Sequence, residues 1–182
     1  MGAIDDIKLR EGHLIQQTTQ GDRDAFDLLI GPYVKALGGY IAYRAKNLSD
    51  ANDILQETML SVWRGIGSYK GESSFKTWAF TIARRRLADF YRKSENNLPL
   101  MELGEILPAE DAIESSLTRM DVKSALKKLS DTENELVYLV FHAGLRFAEI
   151  SEALGIPVGT VKSRMSKIKT KLKPLIAKEG EI

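Results

Sequence analysis

At 182 residues the chain has room for one domain or two small ones, and 43% hydrophobic with 28% charged residues marks it as globular and soluble rather than disordered. It has no cysteine, and His13 and His142 are its only imidazoles, which excludes disulfides and thiolate centres and argues against a histidine-built site; no metal and no cofactor are expected. The net charge of +1 conceals segments of opposite sign: nine acids against six bases over 1–60, eight bases against two acids over 64–93, seven acids against one base over 94–121, and seven bases with no acid over 160–178. Two basic segments on either side of an acidic stretch suggest two contacts with a polyanion.

The N-terminus lacks the basic-then-apolar pattern of a secretory signal, and no apolar run approaches the roughly 20 residues that span a bilayer, so a cytoplasmic chain without membrane insertion is expected. Apolar residues recur at helical spacing almost throughout, which predicts an all-α protein. A first long helical region covers 22–46, with Gly31-Pro32 and Gly38-Gly39 as places where it would kink or break. Ser49 is a candidate N-cap for a second helix over 50–66, whose apolar stripe is Leu55, Met59, Val62, Trp63 and Ile66. On its other face stand Asp50, Asp53 and Glu57, with Leu60 among them. A leucine rimmed by charge is how a protein-docking face looks, although single exposed apolar residues are also ordinary.

After the loop 67–73, a third helix is expected from Ser74 to Lys93. Phe75, Ala79, Ile82, Ala83 and Phe90 make its buried side. Thr77, Thr81, Arg84, Ala88 and Arg92 share another face, with Arg85 at the edge. Arg86 falls on the apolar side, which is costly without a carboxylate; Asp89 is the nearest one, so Arg86 reads as structural. Trp63 and Trp78 read as core. Tyr69 and Phe80 lie beside a basic helix, where aromatic rings stack unpaired bases.

The stretch 95–111 contains two prolines and little periodicity, and reads as an acidic linker. A helix over 112–129 follows, and Ser130 with Glu133 matches a capping box opening a helix to about His142. A short helix from Phe147 to Leu154, a turn at Gly155-Ile156-Pro157 and a longer basic helix compose a helix-turn-helix. In that last helix Val161, Met165, Ile168, Leu172 and Leu175 form an inward stripe. Ser163, Ser166, Lys167 and Thr170 lie opposite it, flanked by Lys162 and Arg164, with Thr160 at the start. Small hydroxyl side chains admit a helix to the major groove, and Lys and Arg donate to guanine or phosphate. The same pattern fits a merely solvated amphipathic helix, but the turn, the proline and the absence of acids favour DNA binding.

Three segments resemble the sigma-70 family of bacterial RNA polymerase sigma factors. Asp53–Arg64 is similar to its polymerase-binding helix, and Phe75–Arg84 to its promoter-melting helix. Ile156–Met165 is similar to the −35 reading helix of the small extracytoplasmic-function (ECF) subgroup. The resemblance runs over about 20–178 with the motifs in order. It implies two helical domains, region 2 over 21–94 and region 4 over 112–180, joined by the linker 95–111 and preceded by an N-terminal extension over 1–20. It further implies that Asp50, Asp53, Gln56, Glu57 and Leu60 dock on the clamp coiled coil of the polymerase largest subunit, with the flap as a second polymerase contact. Tyr69, Lys70, Ser73, Lys76, Thr77, Phe80, Thr81, Arg84, Arg85 and Arg92 would engage the −10 element. Thr160, Lys162, Ser163, Arg164, Ser166, Lys167 and Thr170 would engage the −35 element. Promoter DNA, core polymerase and an anti-sigma factor are the partners implied, and no catalytic residue is.

Asn52 stands where the family often has an acid, Lys162 and Lys167 where arginine is common, and Ser151 where a small alanine is usual. The competing readings are a helix-turn-helix regulator with an unrelated helical N-terminal domain and a recombinase-like enzyme. The first leaves 53–64 and 75–84 unexplained, and the second lacks a clustered nucleophile with its partners.

Overall fold

In the computed structural model, which describes residues 3–93, 126 and 128–176, the chain is all-α, with no strand among the described residues. It divides into two units, Met1–Leu98 and Pro99–Ile182.

The first unit is a bundle of α1 (Ala3–Thr19), α2 (Arg23–Arg44), α3 (Leu48–Gly65) and α4 (Phe75–Lys93), with a single 3-10 turn at Ile66–Ser68 after α3. The stretch that supplied no recognisable motif is thus helical, and α1 packs along α2. Thr18 is buried, and its hydroxyl donates to the Leu14 carbonyl at 2.7 Å, which satisfies its polarity within its own helix. Gly21, at φ 93°, makes the turn that only glycine adopts without strain, and Asp22 caps α2 by accepting from Ala25 N at 3.0 Å.

Helix α2 passes through Gly31-Pro32 and Gly38-Gly39 without a break. Pro32 is exposed, and Gly38 faces the Leu55 side chain, so a small residue sits where α3 crosses. The inward face of α2 is Ala25, Phe26, Leu29, Ile30, Leu37, Tyr40 and Ile41. It meets the buried sides of α3 (Ala51, Ile54, Thr58, Val62) and of α4 (Phe75, Ala79, Phe80, Ala83, Leu87, Tyr91). The cap of α3 is Asn47, not Ser49: its Oδ1 accepts from Asp50 N at 2.8 Å. Either side chain suits the role, and the position where the backbone is still extended decides between them.

The second unit contains α5 (Asp131–Phe141), α6 (Phe147–Leu154) and α7 (Val158–Ile176), each packed on the other two. The expected linker, and the expected helix over 112–129 apart from its last turn, fall outside the described residues. The capping box at the head of α5 forms as expected, Ser130 Oγ accepting from Glu133 N and Glu133 accepting from Ser130 N at 2.9 Å. Buried Asn134 donates to the carbonyls of Leu126 and Leu129, so the polar group under the turn is satisfied. Leu136, Leu139, Leu145, Ile150, Val161, Met165 and Ile168 supply the core.

Candidate nucleic-acid and protein-docking surfaces

On α3 the buried residues fix which side is left to solvent. Opposite Ile54, Thr58 and Val62 lie Asp53, Gln56, Glu57 and Leu60, all exposed, Leu60 to 43%. Asp50 is half-buried, and the Tyr91 hydroxyl of α4 donates to its carboxylate at 3.4 Å. Asn52 is exposed on the same helix. The five residues expected in the docking surface therefore share one face of α3, with Asp50 set lower than the rest.

The loop before α4 is closed by its own tyrosine. Tyr69 donates to the Ser73 carbonyl at 2.6 Å, and its ring rests edge-on against Phe75 and 5.2 Å from Trp78. Burial is the main cause that raises the Tyr69 pKa, with the Glu11 carboxylate adding to it. Gly71 takes φ 73° at the tip of the loop. Ser74 caps α4, accepting from Thr77 N at 3.2 Å. Lys70, Arg84, Arg85 and Arg92 are exposed, while Ser73, Lys76 and Thr81 are half-buried.

Two residues expected in the −10 surface are not on it. Thr77 is fully buried, with its hydroxyl 2.8 Å from that of Ser74, and Phe80 is 1% exposed with its ring 5.6 Å from Tyr40. A single apolar stripe was expected on α4, but α2 and α3 both pack on it, so its buried arc is broad enough to take in both side chains. Ile82 and Phe90, expected inside, are only half-buried. Arg86 is likewise not in the core: its side chain is 41% exposed, 3.8 Å from Asp89, which also pairs with Arg92 at 3.3 Å. The tryptophans lie at the margins. Trp63 meets Phe26 edge-on, and Trp78 sits half-exposed between Tyr69 and Phe75. Trp78 beside Tyr69 makes an aromatic ledge under the loop that carries Lys70. Periodicity carries no signal for it, since Tyr69 lies in the loop and meets Trp78 only when the loop folds back on α4.

In the second unit, Gly155 takes φ 66° in the turn between α6 and α7. Ser151 donates to the Ile156 carbonyl at 2.6 Å, so a departure from the family pattern ties this turn down. Pro157 stands at the N-cap, its carbonyl accepting from Thr160 and Val161. With Val161, Met165 and Ile168 buried, α7 presents Lys162, Ser163, Arg164, Ser166, Lys167 and Thr170 to solvent, with Thr160 half-buried at the start. The hydroxyls of Ser163 and Thr170 donate to carbonyls within the helix, and their oxygen lone pairs stay free to accept. Lys171 is turned back, 2.6 Å from Glu133, and that contact is the main reason the Glu133 carboxyl titrates below its ordinary range. Phe141 at the end of α5 is 66% exposed, an apolar surface residue to which the sequence pattern assigns no role.

Among the described residues there is no cluster of His, Cys, Asp or Glu able to hold a metal, and no helix long and apolar enough to cross a membrane.

Residues 29–96 match the family model for sigma-70 region 2, and 125–173 the model for sigma-70 region 4. The ECF RNA polymerase sigma-E factor of Haemophilus influenzae is 28% identical, the alignment covering 93% of this chain and 98% of the relative. The ECF sigma factor SigM of Mycobacterium tuberculosis is 29% identical over 91% of this chain and 84% of its own. Among solved structures, CnrH in complex with the cytosolic domain of CnrY has a TM-score of 0.66 at 22% identity, covering 94% of this chain and 99% of that one. The sigma factor RpoE in complex with the anti-sigma factor NepR from Bartonella quintana has a TM-score of 0.63 at 24% identity, covering 85% and 98%. At these identities the two structures bear on the fold alone. Both sigma regions lie in order along one all-α chain, and relatives match over nearly its full length: the protein belongs to the ECF subgroup of the sigma-70 family of RNA polymerase sigma factors.

Proposed function

We infer that the chain binds core RNA polymerase through α3, contacts the −10 element through the loop Tyr69–Ser74 and α4, and reads the −35 element through α7. The observation that carries this reading is the pairing, within one unit, of an acidic face with an exposed leucine on α3 and a basic, aromatic-edged face on α4 next to it. A regulator that merely binds DNA needs only α6 and α7. A protein that brings a polymerase to DNA needs one face for each.

Asp53, Gln56 and Glu57 surround Leu60 as polar rim around apolar anchor, the arrangement that gives a docking face its specificity. Asp50 joins them at the buried edge. The clamp coiled coil of the polymerase largest subunit is the partner this face suits, with the flap contacting the second unit. At the −10 element, Lys70, Lys76, Arg84, Arg85 and Arg92 supply charge for the backbone. Tyr69 and Trp78 offer ring faces for bases out of the stack. Ser73 and Thr81 are placed for hydrogen bonds, and Thr77 and Phe80 act from beneath by holding α4 in place. At the −35 element, Lys162, Ser163 and Lys167 read base edges, while Thr160, Arg164, Ser166 and Thr170 add contacts to bases or phosphates. Lysine offers a point charge without the planar fork of arginine, so the preferred bases differ from those of relatives with arginine at 162 and 167.

Sigma factors are initiation factors without catalysis of their own, and the chemistry stays with the polymerase. The acidic linker 95–111 leads toward the active-site channel in this reading. In this reading the chain works in the cytoplasm and has an anti-sigma factor as a further partner.

The test is run-off transcription with core polymerase on a promoter library, with and without the protein. Lys167→Ala should lower initiation at −35-dependent promoters about tenfold or more, because a base-reading donor is gone, and leave core binding intact. Glu57→Ala with Leu60→Ala should weaken core binding and leave −35 duplex binding unchanged. No initiation together with no binding to core polymerase would overturn the reading.

A further inference from the structure

Tyr91, near the end of α4, is buried to 6% exposure, and its hydroxyl does two things at once. It accepts from the backbone N–H of Lys46 at 2.8 Å, in the turn between α2 and α3, and it donates to Asp50 Oδ2 at 3.4 Å. The Lys46 ammonium lies 5.4 Å from the ring centroid. Asp50 is in the first turn of α3, where Asn47 caps its backbone N–H, so its main chain is held by one partner and its carboxylate by another. A phenylalanine would fill the same space, so packing alone gives no reason for the hydroxyl. A hydroxyl has one proton to donate. Here that proton goes to a residue on the acidic face of α3, from the helix that carries the basic face.

We propose that Tyr91 is a positioning residue for polymerase docking: from the −10 helix it aims the Asp50 carboxylate and pins the head of α3, so that the acidic face meets the polymerase already ordered. The proposal rests on the reading of α3 as the polymerase-docking face. Burial, the largest influence on this phenol, raises its pKa, so the donated proton stays on the oxygen throughout the neutral range. The Lys46 N–H has its partner in the same oxygen, so one hydroxyl links the turn and the carboxylate. Region 2 thereby acquires a direct polar link between the surface that meets protein and the helix that meets DNA.

The experiment is a double-mutant cycle with the full chain and purified core RNA polymerase, combining Tyr91→Phe with Asp50→Ala. Core affinity is the main readout, alongside binding to a −35 duplex and the circular-dichroism melt. Tyr91→Phe should lower core affinity about threefold to tenfold in the native background, the range of one hydrogen bond. It should have less than about a twofold effect where Asp50 is already alanine, since the two act as one unit. Binding to the −35 duplex, which uses the other unit, should not change. Equal losses in both backgrounds would make the hydroxyl a general structural group and overturn the proposal, as would no loss in either or a Tyr91→Phe chain that does not fold. If Asp50→Ala leaves core binding intact while Glu57→Ala with Leu60→Ala weakens it, the docking face stands and the role of Tyr91 falls. If neither weakens it, the docking face itself is wrong.

Discussion

Truncating Phe80 to alanine removes a ring packed against Tyr40 in the centre of the first unit, and should destabilise that unit by about 3–5 kcal/mol. Arg84→Ala, on the solvent side of the same helix, should shift stability by no more than about 0.5 kcal/mol. Urea denaturation monitored by circular dichroism checks both, and binding to −10 single strands should respond to Arg84 far more than its stability does. The contrast bears on how residues at helical spacing are read. Phe75, Ala79 and Ala83 were legible as core, and so was the pairing of Arg86 with Asp89, since these depend on neighbours within one turn or two. Phe80 and Thr77 were not, because their burial comes from a second helix on the other flank of α4, which no local pattern reveals. On α3 the exposed stripe with Leu60 was legible because a single broad apolar face opposes it.

At the scale of the helix, α5 and α7 are joined by the carboxylate of Glu133, which caps the first and holds Lys171 of the second. Its pKa is lowered in the folded chain, chiefly by Lys171 and then by the Ser130 N–H. The stability this contributes is whole above the ordinary glutamate value of 4.5 and is lost as pH falls through the depressed folded value. Thermal melts from neutral pH down to about pH 3 should show that loss in the native chain and not in Glu133→Gln, which is uncharged at every pH. Ser130→Ala removes the reciprocal half of the cap and should cost about 1 kcal/mol at any pH. The capping box was legible because it lies within four residues. The tie to Lys171 was not, since the two residues are 38 apart in sequence and meet only when α7 folds onto α5.

Across the whole molecule, basic side chains face solvent on two separate units, at Lys70, Arg84, Arg85 and Arg92 in one and at Lys162, Arg164 and Lys167 in the other. Promoter affinity of the polymerase holoenzyme should therefore fall steeply with salt. Lys70→Ala and Arg164→Ala should each flatten the plot of log affinity against log salt by about one unit for every phosphate left without its cation, and the two changes should add. A slope unaltered by both would remove phosphate binding from the role of these two side chains. The order of the two regions was legible in the chain because three motifs fell in sequence. The helix over Ala3–Thr19 was not, because the family resemblance begins only at about residue 20.

The turn between α6 and α7 has a thermodynamic consequence. Gly155 is left-handed, Ser151 closes the turn, Pro157 fixes the entry, and Val161, Met165 and Ile168 are sealed beneath. A reading helix built this way is already folded before it meets the groove, so no coil-to-helix ordering entropy stands between encounter and recognition. Its association with the −35 element is then the docking of a rigid body. The heat-capacity change reflects only the surface covered at the groove, and it is smaller than that of a segment that folds as it binds.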